Sequence, residues 1–144
     1  AVSVKKILAR KGHEVISISP DCTMLETARV LRENKIGAII VCNKDGKMCG
    51  VISERDIVIA IAKSGSEILD KIVGGYMTTG VYTCKAKDSV KTVMEIMTSR
   101  RIRHLPVVGD DEGVIGMISI GDVVKERINE AEAEADALKA YIAT

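Results

Sequence analysis

Two short stretches hold the side chains best suited to chemistry, Ser53-Glu54-Arg55-Asp56 and Ser119-Ile120-Gly121-Asp122. Each sets a hydroxyl three residues ahead of a carboxylate. An ionised aspartate offers two acceptor oxygens that can receive hydrogen bonds from both vicinal hydroxyls of a ribose, and a serine beside it adds a donor or acceptor. The same spacing suits a plainer role, serine as a helix N-cap with aspartate at the positive end of the helix dipole. The two roles are compatible. Elsewhere there is no Walker loop, no Gly-x-Gly-x-x-Gly and no nucleophile elbow, and neither His13 nor His104 has an evident Cys or Ser partner. No catalytic residue is assigned, and an enzyme survives as a competing reading only through Cys84 and His104.

The elements that position these stretches come as an internal repeat. Ile36, Val41, Asp45, Gly50, Ile52, Ser53, Asp56 and Val58 recur without a gap as Ile102, Val107, Asp111, Gly116, Ile118, Ser119, Asp122 and Val124. Each copy reads as a short strand (Val15 to Ser19, Val81 to Lys85) and then a helix. Thr23-Met24-Leu25-Glu26 is a capping box, and Ser89 can cap the counterpart helix. Met24, Ala28 and Leu31, and likewise Val90, Met94 and Met97, give each helix an apolar stripe. Two apolar runs joined by a turn then form a hairpin (Ile36 to Cys42 with Cys49 to Ile52; Leu105 to Val108 with Val114 to Ile118), and Ser53 or Ser119 opens a second helix.

The order β-α-β-β-α, twice, predicts an α+β fold of two small mixed sheets with helices on one face, packed together into one body with an internal twofold. The expected divisions are a first repeat with its N-terminal segment at 1–63, a connection at 64–80, a second repeat at 81–124 and a C-terminal helix at 125–144. In that last helix Val124, Ile128, Ala131, Ala135, Leu138 and Ile142 make a heptad-like stripe, which fits either a helix folded back on its own domain or a partner helix from a second subunit, the latter preferred.

Composition narrows the function classes. Of 144 residues 47% are hydrophobic and 28% charged, a globular balance that excludes a disordered chain. A net charge of +1 provides no field for a nucleic acid backbone, and 2% aromatics leaves too few rings to stack single-stranded bases. No apolar run suggests a membrane span or a signal-peptide core, so a soluble, cytoplasmic protein is expected. Cys22, Cys42, Cys49 and Cys84 lack zinc-knuckle or redox spacing and read as packed thiols, with no metal site assigned. Were Ile40 to lie opposite Cys49, Cys42 and Cys49 would sit diagonally on one hairpin face, the one pair a regulatory disulfide could use.

Gly50-Val51-Ile52-Ser53-Glu54-Arg55-Asp56 and Gly116-Met117-Ile118-Ser119-Ile120-Gly121-Asp122 resemble the Gly-hydrophobic-hydrophobic-Ser/Thr-x-x-Asp signature of CBS domains. Each follows a matching strand, Lys35 to Val41 or Arg101 to Val107, so that nearly the whole chain, from about Val4 to Val124, resembles a CBS pair or Bateman module. The resemblance implies a non-enzymatic regulatory module that binds an adenosine-containing ligand (AMP, ADP, ATP, NAD(H) or S-adenosylmethionine), forms a homodimer, and alters its own dimer geometry or the activity of an effector protein that the sequence does not name. It also implies that one cleft combines Ser119 and Asp122 with Ile16 and Ile36, and the other Ser53 and Asp56 with Thr78, Tyr82 and Ile102, aliphatic walls holding the adenine. Arg103 and His104 stand where family members often place cations for a phosphate, with Lys11 as an assistant, whereas Gly37 and Ala38 occupy the equivalent positions of the first repeat. Arg55 either narrows its cleft or binds phosphate. A purely structural dimerisation module with empty clefts is the alternative.

Overall fold

The computed structural model describes residues 2–12 and 14–144. The element order is α1 (Val4–Lys11), β1 (Ser17–Ile18), α2 (Met24–Asn34), β2 (Ala38–Cys42), β3 (Met48–Ser53), α3 (Glu54–Ser64), two short 3-10 turns (Ser66–Asp70 and Val73–Gly75), α4 (Val90–Arg100), β4 (His104–Val108), β5 (Val114–Ser119) and α5 (Ile120–Ala143). The chain divides into two compact units: Val15–Tyr82, and Thr83–Thr144 joined by the N-terminal stretch up to Glu14.

In the unit Val15–Tyr82, β1 pairs parallel with β2 and β2 antiparallel with β3. Met24 and Leu31 of the expected α2 stripe are buried with Ile39, Val41, Ile52, Ile57 and Ala60, and Ile68 and Val73 from the connection complete this core. Thr23 caps α2 by accepting from the Glu26 N–H at 3.1 Å, while the reciprocal half of a capping box is absent from the bonds seen at this end. The hairpin register differs from the one that would set Cys42 and Cys49 diagonally. Ile40 pairs with Val51, and a bulge after Val41 leaves Cys49 as the extra residue, its thiol donating to the Val41 carbonyl at 3.3 Å. All four cysteines are free thiols.

The other unit repeats this plan with β4 antiparallel to β5. The expected strand Val81 to Lys85 reduces to a single parallel bridge between Cys84 and Val107. Ser89 caps α4 through the Thr92 N–H at 3.0 Å. The repeat extends to backbone strain: α2 and α4 both end on a non-glycine residue in the left-handed region, Lys35 at φ 53° and Arg101 at φ 55°. The helix expected after Val124 continues without a break from the one that Ser119 opens.

Helix α1 was not read from the sequence. It lies ahead of the first repeat in the chain but packs against α5 and β5. Its Val4, Ile7 and Leu8 join Val90, Val93, Met97, Leu105, Val107, Ile118 and Val123 in one core. A Cβ on Gly116 would stand 2.6 Å from Leu8 Cδ2, so the signature glycine is what admits α1. In the other unit a Cβ on Gly50 would meet Met77 Sδ at 2.7 Å and the Thr78 carbonyl at 2.8 Å. Charge fastens α1 as well: Arg10 reaches the buried Glu126 at 2.8 Å, and Lys6 lies 3.6 Å from Glu126 Oε1, within ion-pair range but too far to hydrogen bond.

Candidate functional site

Each signature serine and aspartate forms a complete capping box. Ser119 Oγ accepts from the Asp122 N–H at 3.1 Å, and Asp122 Oδ2 accepts from the Ser119 N–H at 2.8 Å. The equivalent distances at Ser53 and Asp56 are 3.1 Å and 2.9 Å. The aspartate thus stands where the glutamate of a conventional capping box would. The cap occupies one carboxylate oxygen, Oδ2, and leaves Oδ1 of both aspartates without a hydrogen bond among the described residues. The serine hydroxyls accept in the cap and keep their own proton to donate. Capping and ligand binding therefore use different atoms of the same two residues.

The surroundings of the two boxes differ. Lys11, at the end of α1, donates to Asp122 Oδ2 and to the Met117 carbonyl, both at 2.8 Å. Two of its three N–H donors are spent and one is left over. Burial pushes the Asp122 carboxyl up, but the bonds from Lys11 and the Ser119 N–H outweigh it and hold the group below the ordinary aspartate range. The Arg103 carbonyl accepts from the Ile120 N–H at 2.8 Å, and His104 lies directly opposite Ser119 in the sheet register. Lys11, Ser119 and Asp122 are thus bonded together at one end of one unit, with the backbone of Arg103 and His104 alongside.

Among the described residues no cation is bonded to the Asp56 carboxylate, whose Oδ2 accepts from the Ser53 N–H. Gly37 takes the place of Arg103, accepting from the Glu54 N–H at 2.9 Å. Arg55 is exposed on the first turn of α3. Thr78 pairs with Val51 in both directions, at 3.0 Å and 2.8 Å, and Tyr82 is exposed at the end of the same unit. Ile16 and Ile36 are partly buried against the core of Val15–Tyr82, and Ile102 against the core of the other unit. Ile36 also lines a groove of about 520 Å³ with Leu31, Lys35, Glu54, Ile57 and Val58, which neither signature aspartate lines.

His13 lies outside the described residues. Cys84 is buried, which together with the nearby Asp88 pushes its thiol up to about 12, so it stays protonated and is a poor nucleophile at neutral pH. No cluster of three or more metal-ligating side chains occurs among the described residues. No described helix is long and apolar enough to cross a membrane.

Comparison with known proteins agrees with the repeat. A CBS-domain protein from Agrobacterium tumefaciens, ATU1752, is 42% identical, with a TM-score of 0.85 over 88% of this chain and 99% of its own. The mitochondrial CBS domain-containing protein CBSX3 of Arabidopsis thaliana is 36% identical over 99% of this chain and 72% of its own length. The CBS domain protein PAE2072 from Pyrobaculum aerophilum, solved in complex with AMP, is 27% identical, with a TM-score of 0.75 over 84% of this chain and 89% of its own. Residues 4–63 and 73–129 each match the CBS domain, and the chain belongs to the CBS-domain family as a tandem pair.

Proposed function

We propose that the protein is a non-enzymatic regulatory module whose Asp122 cluster binds a phosphorylated adenosine ligand, of which AMP is the simplest. One observation carries the reading: the capping box leaves Asp122 Oδ1 open to a ribose hydroxyl while Lys11 stands on Oδ2 with one N–H donor to spare. A ribose needs acceptors and a phosphate needs donors or positive charge, and this cluster supplies both within one unit. PAE2072, solved with AMP, is a relative of the same fold. The Asp56 cluster lacks a cation on its carboxylate and is the weaker site for a phosphorylated ligand. Binding is read out through a second copy of the chain or an effector protein. Four free thiols suit the reducing cytoplasm.

Isothermal calorimetry with AMP, ADP, ATP, NADH and S-adenosylmethionine tests the reading. At least one phosphorylated ligand should bind the unsubstituted chain, and Asp122→Asn, which retains an acceptor for the cap, should weaken it by at least about tenfold, as expected for a lost charge-assisted hydrogen bond. Binding of none of the five would leave a structural dimerisation module.

A further inference from the structure

The C-terminal part of α5 is bare. Every residue from 131 to 144 is exposed. Among its apolar side chains Ile128, Leu138 and Ile142 are 53%, 59% and 73% exposed. A helical stretch without tertiary packing is marginal in water, so these turns gain from a partner helix. The stripe from Val124 to Ile142 has the four-three spacing of a two-stranded seam, with Ile128, Ala135 and Ile142 at a positions and Val124, Ala131 and Leu138 at d positions.

The flanking charges select both the partner and its direction. Arg127 and Glu134 occupy g positions, and Lys125, Glu132 and Lys139 occupy e positions. In a parallel, in-register pair of identical helices each g side chain meets the e side chain five residues further along the other helix. That rule joins Arg127 to Glu132 and Glu134 to Lys139 of the second copy, and the reverse by symmetry. An antiparallel pair with the same seam in full overlap would set Glu132 against Glu132, Glu134 against Glu134 and Lys125 against Lys139, so that every charge–charge contact is between like charges and Arg127 faces the uncharged Tyr141. We propose that α5 pairs with α5 of a second copy of this chain as a parallel, in-register two-helix seam. This gives the homodimer proposed above a specific interface and makes no use of the nucleotide cluster.

Single thiols and a charge exchange, all on exposed positions of α5, test the pairing without disturbing either core. Ala135→Cys puts a thiol at the seam facing its own copy, while Ala133→Cys puts one on the outer face. Under mild oxidation, with the unsubstituted chain as baseline, Ala135→Cys should form a covalent dimer at least about tenfold faster than Ala133→Cys, because the seam raises the effective concentration of the matching thiol. Arg127 already pairs with Glu130 in its own helix, so Glu134 is the sharper electrostatic probe. Glu134→Lys should raise the dimer dissociation constant in sedimentation equilibrium about fivefold or more, and adding Lys139→Glu should restore it. Nucleotide binding, measured on the same variants, tests the proposed function separately, since none of these positions belongs to the nucleotide cluster. Equal crosslinking at both positions, self-association indifferent to Glu134→Lys, or a monomer throughout the concentration series would overturn the pairing.

Discussion

Asp122 divides its work between two oxygens, and Lys11 decides which ligands the free one can serve. The ammonium is fixed by Asp122 Oδ2 and the Met117 carbonyl, which leaves one donor for a ligand oxygen. Lys11→Met should therefore weaken AMP by about tenfold in calorimetry, the worth of one charged hydrogen bond, and leave unphosphorylated adenosine unchanged. An equal loss for adenosine would mean that Lys11 acts by holding Asp122 instead of touching phosphate. Asp122 also leaves a mark on stability. Its carboxyl lies lower in the folded chain than in the unfolded one, against the push of burial, because of the bonds from Lys11 and Ser119. Such a group stabilises the fold above the unfolded aspartate value of about 3.9, and the contribution fades as pH falls through the folded value. Urea midpoints of the parent and Asp122→Asn should differ at pH 7 and converge at the acid end. Serine and aspartate were legible because the cap that joins them is local in sequence. The structure adds that the cap uses one carboxylate oxygen, which allows the structural and ligand-binding roles together.

At the scale of elements, the signature glycine and α1 explain each other. Gly116 has no side chain where Leu8 lies, and a methyl there would overlap Leu8 Cδ2 at 2.6 Å. Gly116→Ala should cost about 1–3 kcal/mol through overpacking, and Leu8→Ala about 2–5 kcal/mol through the cavity it leaves. The double substitution should cost less than the sum, since the new methyl takes up part of the lost volume; simple additivity in urea unfolding would show that the two do not share a contact. Most elements were legible. Periodicity and hydroxyl caps located α2, α4 and the start of α5, and paired apolar runs located both hairpins, because these depend on neighbours in sequence. Four features were not. Helix α1 carries two adjacent lysines and a basic last turn that hide its short apolar face, and the rest of its core lies more than 75 residues away in sequence. The strand expected from Val81 to Lys85 makes one bridge, since apolar alternation cannot report whether a neighbouring edge is within reach. The bulge after Val41 shifted the expected hairpin register, and Lys35 and Arg101 adopt the left-handed caps that sequence reasoning reserves for glycine.

For the whole molecule, chain order and spatial order disagree. The chain starts in one unit, crosses to Val15–Tyr82, and returns at Thr83 to finish the unit where it began. The sequence repeat identified two copies of one plan, yet the N-terminal segment ahead of the first copy completes the core that contains the second. Val4, Ile7 and Leu8 are each at most 4% exposed there. Full burial of three such side chains contributes on the order of 4–8 kcal/mol, an upper figure because the unfolded chain already buries some of this surface, yet comparable with the net stability of a small domain. A change in α1 should thus be felt far along the chain. Ile7→Ala should speed amide hydrogen exchange across α4, β4 and β5, which share its core, and leave α2, β2 and β3, with their separate core, close to parental rates. The Asp122 cluster should loosen with it, because the same helix delivers Lys11. An added phosphorylated ligand should then restore more exchange protection in Ile7→Ala than in the parent, since it favours the closed form that the substitution depopulates. Faster exchange confined to α2, β2 and β3 would show instead that α1 supports the repeat it precedes in sequence.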